Sequence, residues 1–216
     1  MNKKAIILIL ALMLFSCKQA NKSVDAEALD SIKNTEKNKK SIINADKSIF
    51  TKYDYTYSKG KSIIVQNSLP KGGIRYTDPK GNKYIYAIFW TRIINETDNP
   101  IEFKINFPID SYEIPALPGK YYKTLIPPDT MTIQKAPLLN YGLTNLESFF
   151  DKSIDKPSSL KRTIKPKEST GFYVVTLRLI GGDQYGILRT ELTLKGENLF
   201  YKIRDKEIQC GSIVIK

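Results

Sequence analysis

No histidine occurs anywhere in the 216 residues. That excludes a histidine general base, Ser-His-Asp or Cys-His machinery, and any histidine-containing metal site within this chain. Carboxylate, lysine and tyrosine chemistry stays open. Cysteine is nearly absent as well, with only Cys17 and Cys210, too few for a multi-bridge disulfide framework. The longest apolar run, residues 5–15, has eleven members, short of the ~20 that a membrane-spanning helix needs. Gly72-Gly73 and Gly181-Gly182 lack a Gly-Lys-Ser/Thr ending, so they read as turns rather than phosphate loops and no cofactor is expected. No Asp-x-Asp-x-Asp run is present to hold calcium, and no metal is expected.

What is present begins with a targeting pattern. Lys3 and Lys4 precede the apolar run, which ends in Leu14-Phe15-Ser16-Cys17. A charged start, a run of this length and a small residue before the cysteine form a secretory signal peptide. The peptide resembles that of bacterial lipoproteins of the Bacteroidetes type, and Leu14, Ser16 and Cys17 match the lipobox. Phe15 departs from its usual small or β-branched residue. The resemblance implies cleavage after Ser16 and diacylation of the Cys17 sulfur, palmitate being a typical chain. Two or more acyl chains make attachment durable. The resemblance also implies lipid anchoring in the outer membrane. Surface display in this family goes with an acidic run after the cysteine, and Lys18-Gln19-Ala20-Asn21-Lys22 has none. The expected orientation therefore faces the periplasm, with the cell surface as the alternative.

Three regions follow, a signal peptide 1–16, a lipidated cysteine with polar tether 17–48, and a domain 49–216. The tether holds seven Lys and five acids, with no aromatic, Gly or Pro. As a flexible coil it spans roughly 30 Å. Val24, Ala28, Leu29 and Ile32 fall at helical spacing within it, too narrow a face to fold alone. The domain carries 25 Lys plus Arg against 17 acids. Such a balance favours anionic partners such as phosphorylated glycolipid, acidic polysaccharide or lipid head groups. Equally, the basic residues are scattered without a dense cluster, as on any lysine-rich surface. Nucleic acid is not an expected partner for an exported chain. With Cys17 committed to lipid, Cys210 is unpaired in an apolar terminal run and is expected to be a buried, inert thiol.

From Phe50 onward, aromatic and β-branched runs alternate with turn signals. Strands are predicted over 62–66, 74–77, 83–95, 101–107, 172–180, 186–195, 199–203 and 208–215. Asp78-Pro79-Lys80-Gly81-Asn82 is hairpin chemistry, with proline preset for a turn and glycine able to take positive φ. Residues 83–95 carry apolar side chains on both faces, as in a central strand covered on both sides. Residues 101–107 alternate apolar and polar, as in a half-buried strand. Thr144-Asn145-Leu146-Glu147 reads as a capping box that opens one short helix. The fold class is all-β, an antiparallel β-sandwich with one short helix. Residues 89–107, with their Asn-Glu-Thr-Asp-Asn-Pro corner, and residues 164–179, with their Pro-Lys-Glu-Ser turn, resemble bacterial immunoglobulin-like lipoprotein domains, which implies an immunoglobulin-like arrangement.

Tyr53, Tyr55 and Tyr57 recur at period two among polar neighbours. A tyrosine row stacks sugar rings while lysines take anionic groups, so with Lys52 and Lys59 they form a candidate anionic-glycan site. Edge packing accounts for the same pattern. Tyr84, Tyr86 and Trp90 are expected in the core. Asp110 with Glu113, and Asp151 with Asp155, are the acid pairs that a glycosidase-like hydrolase would need, although solvated surface charge is the favoured account of them. Asp30-Ser31-Ile32 and Asp129-Thr130-Met131 resemble the O-glycosylation motif of exported Bacteroidetes proteins, which makes Ser31 and Thr130 candidate acceptors. The leading functional expectation is a lipid-anchored, non-enzymatic binding or accessory subunit of the cell envelope, docking on an envelope protein. An anionic-glycan-binding module and a carboxylate-dependent hydrolase are the alternatives.

Overall fold

The computed structural model describes residues 47–58, 61–110, 112–115, 117–181 and 188–216. The signal peptide, Cys17, Ser31, nearly all of the tether and Lys59 lie outside them. The two-faced segment forms β4 (Lys83–Asn95), the spine of the larger sheet. Beside it runs β10 (Ser169–Leu179), antiparallel from Ser169 opposite Ile94 to Leu179 opposite Tyr84. On the other flank, β2 (Lys61–Ser68) pairs with the second half of β4 and β3 (Lys71–Thr77) with the first half. Pro70 sits between them, where a missing N–H breaks no ladder bond. β1 (Ile49–Ser58) extends this sheet beyond β2. Beyond β10 lie β7 (Tyr121–Leu125) and β8 (Thr130–Met131), and β6 (Tyr112–Glu113) pairs with β7.

The second sheet takes the order β11 (Thr190–Lys195), β12 (Asn198–Ile203), β13 (Lys206–Ile215), β5 (Ile101–Phe107) and β9 (Ser158–Ile164). All pairings are antiparallel. Ile63, Val65, Ile93, Phe172 and Val174 of the larger sheet pack with Phe103, Ile105, Leu192, Leu199 and Ile213 of the smaller one. The molecule is therefore an all-β antiparallel sandwich. Its larger sheet has a second apolar face, which holds Tyr84, Tyr86, Ile88, Trp90 and Tyr173. That face is covered by residues 133–154, which include α1 (Leu146–Ser153). The Phe150 ring meets Tyr76 and Tyr86 edge-on at centroid distances of 5.1 and 5.0 Å. Rings so buried stabilise by roughly 1.5–3 kcal/mol each.

The expected turn at 78–82 closes the β3–β4 hairpin. The Asp78 carboxylate accepts from the Lys80 and Asn82 backbone N–H groups at 2.9 and 2.8 Å, and Gly81 takes φ +84°. The helix exists without its capping box. Asn145, in the left-handed region at φ 55°, is the N-cap and makes no side-chain cap bond. Its left-handed turn places Thr144 outside the first helical turn, and asparagine tolerates that conformation better than most residues. Gly72-Gly73 is a bulge within β3 rather than a turn between strands. A Cβ on Gly72 would lie 2.6 Å from the Tyr86 carbonyl oxygen, which is why glycine stands there.

Candidate functional site

The register of the larger sheet brings together residues far apart in sequence. Arg75 of β3 lies opposite Ile85 of β4, and Ile85 lies opposite Arg178 of β10. Directly opposite residues share a face, so Arg75, Ile85 and Arg178 form one row across three strands. The parallel row two residues inward is Gly72, Ala87 and Thr176, and Thr124 of β7 lies opposite Thr176. Small side chains in this inner row leave space above the sheet. The large pair Phe89 and Val174 comes next and closes the space toward the core.

The second sheet does not roof these rows. Its β11–β12 ladder ends at Thr190 opposite Ile203. Leu188 and Arg204 lie just past that end and form the upper wall. Arg204 sits in the β12–β13 hairpin at φ 56°, a left-handed conformation uncommon outside glycine and asparagine. The result is a cavity of about 530 Å³ at the open end of the sandwich, also lined by Tyr122 and Ile180. This falls within the ~300–1,000 Å³ range of small-molecule sites.

Three guanidinium groups border the cavity, and among the described residues no Asp or Glu lines it. Arginine stays charged at every physiological pH and offers a planar fork matched to carboxylate or phosphate oxygens. Thr176 and Thr124 are 1% and 4% exposed, and their hydroxyl oxygens are buried with no hydrogen-bond partner among the described residues. Leaving such a group unpaired costs about 1–3 kcal/mol. Thr176 lines the cavity itself.

The tyrosines of β1 have a different setting. The Tyr53 and Tyr55 rings are 6.1 Å apart, with Tyr57 further along the strand and 43% exposed. The Tyr53 hydroxyl donates to the Glu191 carboxylate, and the Tyr55 hydroxyl accepts the Leu194 N–H at 2.9 Å. Burial, reinforced by Glu191, pushes the Tyr53 phenol up to about 12. Both hydroxyls thus fasten β1 to β11 in the opposite sheet. Alternation along β1 puts Lys52 on the face away from the tyrosines, and it is exposed there.

The acids are placed separately. Asp110 pairs with Lys123 at 3.3 Å, and Glu113 accepts the Gly119 N–H at 2.8 Å. Asp151 accepts the Tyr76 hydroxyl at 2.6 Å, and Asp155 pairs with Lys80 at 2.6 Å. Neither pair borders the cavity. Thr130 is exposed in β8, its hydroxyl 3.5 Å from an Arg162 nitrogen. Cys210 is 3% exposed in the sandwich core, and burial pushes its thiol up to about 12. The burial expected of it is present.

Sequence reasoning passed over Arg75, Thr176, Arg178 and Arg204. One signal was present in β10, where the inward series Phe172, Val174 turns polar at Thr176 and Arg178. The change marks where the apolar interior ends before the strand does. Among the described residues no helix is long and apolar enough to cross a membrane. Compared with protein-family models, with curated proteins and with solved structures, the chain matches none.

Proposed function

We propose that the protein is a non-enzymatic binding subunit of the bacterial cell envelope, tethered by acylated Cys17. Its folded domain binds an anionic ligand in the arginine-bordered cavity. The observation that supports this reading is the convergence of Arg75, Arg178 and Arg204 on one cavity. A lipid at Cys17, a polar tether and an outer-membrane site facing the periplasm complete the proposal, and all three rest on the signal-peptide pattern.

Native mass spectrometry of the acylated protein, extracted from its own membranes, tests the cavity. Wild type is expected to retain a non-covalent anionic adduct. The double variant Arg75→Ser, Arg178→Ser is expected to lose it while keeping the wild-type melting temperature to within a few degrees. Identical adducts on both proteins would refute the site. The tether is tested separately, because Cys17→Ser is expected to abolish acyl labelling. Continued labelling of that variant would remove the anchor.

A further inference from the structure

Accepting the tether at Cys17, we propose further that the folded domain docks on the same bilayer through residues 136–142, with Leu138 and Leu139 seated among the lipids. Single exposed apolar side chains are ordinary. These two are adjacent, follow the exposed Pro137, and are 51% and 85% exposed. Leu139 is the most exposed large apolar side chain among the described residues.

The backbone holds the pair outward. Asn140, Tyr141 and Gly142 take consecutive positive φ values of 49°, 55° and 75°, and a left-handed conformation is rare for a residue as bulky as tyrosine. Such a conformation persists only where its surroundings over-determine it. Tyr141 is buried, its hydroxyl donates to the Leu69 carbonyl at 2.6 Å, and its carbonyl accepts from the Tyr173 hydroxyl at 2.8 Å. Lys71 Nζ donates to the carbonyls of Ala136 and Leu138 at 2.9 and 2.6 Å. The tyrosine is thus fastened inward, and the leucines before it are left in water.

Three observations favour lipid as the occupant. The Leu69 N–H donates to the Ser48 carbonyl at 2.8 Å, so one residue links this turn to the point where the tether enters the domain. Residues 61–77 and 130–146, which build the surface, contain no Asp or Glu. Lys71 bonds the turn, and Lys135 lies beside Leu138 next to Gly142, an arrangement that puts cations at head-group level when the apolar tips enter. Finally, two leucines and a proline fall far short of the ~800 Å² per partner of a stable protein interface, and leucine is under-represented among the residues that carry such interfaces. A tethered domain needs less. Its contact is intramolecular at high effective concentration, so an insertion too shallow to hold a free protein still fixes how the domain stands on the membrane.

The test places the full chain, extracted from its own membranes, in phospholipid nanodiscs with a nitroxide on Leu139→Cys. Wild type, with its buried Cys210, is the labelling blank. The reference is the same label on Glu197→Cys, exposed in the β11–β12 turn and near Tyr57, at the other end of β1 from Ser48. In lipid a nitroxide collides more with oxygen and less with a water-soluble nickel chelate. The oxygen-to-nickel ratio is expected to be about threefold or more higher at 139 than at 197, as for an apolar group sunk below the head groups. Adding Leu138→Ser should lower it. Melting curves establish that each variant is folded.

Equal ratios at the two positions would overturn the docking. So would a position 139 shielded from oxygen and nickel alike, which would put a protein, either a second copy or another envelope chain, over the leucines. A ratio untouched by Leu138→Ser would show the label reaching lipid on its own account, and overturns it equally. Acyl labelling of the same samples separates the two readings. Acylated Cys17 with position 139 in water removes the docking and leaves the tether, whereas position 139 in lipid on an unacylated chain removes the tether and supports the docking.

Discussion

Asn67 and Asn95 each use a buried amide to join segments distant in sequence. The Asn67 side chain exchanges two hydrogen bonds with Leu192 of the opposite sheet. Its amide donates to the carbonyl at 3.0 Å, and its oxygen accepts the N–H at 2.9 Å. Asn95 is fully buried where the chain leaves β4. Its amide reaches the carbonyls of Asn99, Ile164 and Lys165 at 2.8, 3.1 and 3.1 Å. It thereby pins together the two corners at which the chain changes sheets. Replacing Asn67 by Leu fills similar volume but strands the Leu192 N–H and carbonyl away from water. At about 1–3 kcal/mol for each of the two stranded groups, a loss of roughly 2–6 kcal/mol is expected. For a domain of this size that lowers the melting temperature by about 4–24 °C. A shift below 2 °C in a thermal scan would mean that the two sheets do not depend on this amide.

At the scale of elements, β13 carries the sharpest steric demand. Its ladder with β12 skips Cys210, and Gly211 then faces Ile105 of β5. A Cβ on Gly211 would stand 1.8 Å from the Lys104 carbonyl oxygen. Gly196, in the β11–β12 turn, has nothing within 4 Å and a φ of +61°. Alanine at Gly211 must push two strands apart, a packing cost of about 1–3 kcal/mol or more. Alanine at Gly196 meets only the left-handed penalty of about 1–2 kcal/mol. Urea midpoints are expected to fall further for Gly211→Ala than for Gly196→Ala, and the reverse order would contradict the β13–β5 pairing. The strands legible from sequence were β2, β3, β4, β5, β10, β11, β12 and β13, most sharply β4 and β5 with their strong alternation and the hairpin at 78–82 with its turn chemistry. β9 escaped notice because it is an edge strand whose exposed positions carry Ser159, Lys161 and Thr163. Such a strand needs few apolar residues. The capping box misled because Asn145 adopts a left-handed conformation that the Thr-x-x-Glu spacing does not reveal. The cavity was illegible for a different reason. Arg75, Ile85 and Arg178 become neighbours only through the β3–β4–β10 register, and no local periodicity encodes a register between distant strands.

Over the whole molecule, the missing histidine and the buried acids of high pKa set how stability responds to pH. The chain has no histidine, the side chain whose ordinary pKa lies near 6.5. Asp155 and Glu207 are held below their usual range, first by hydrogen bonds from Lys80 and Lys195. Their contribution is therefore present at neutral pH and lost only as pH falls through the native values. The alkaline side behaves differently. Burial pushes the Cys210 thiol from 9.0 to about 12, and the Tyr53 and Tyr173 phenols from 10.0 to about 12. Tyr112 and Tyr201 are moved in the same direction, mainly by burial. Above about pH 9 the unfolded chain releases these protons while the native state keeps them. The unfolded state then binds fewer protons, so stability falls as pH rises. Melting temperatures are expected to form a plateau from about pH 6 to 8.5 and to decline steeply through pH 10–11. Cys210→Ala removes the earliest titrating member and should move the onset of the decline from about pH 9 toward pH 10. A melting temperature that holds level through pH 11 would show that the thiol and the phenols are not buried as described. An onset unmoved by Cys210→Ala would assign the decline to the tyrosines alone.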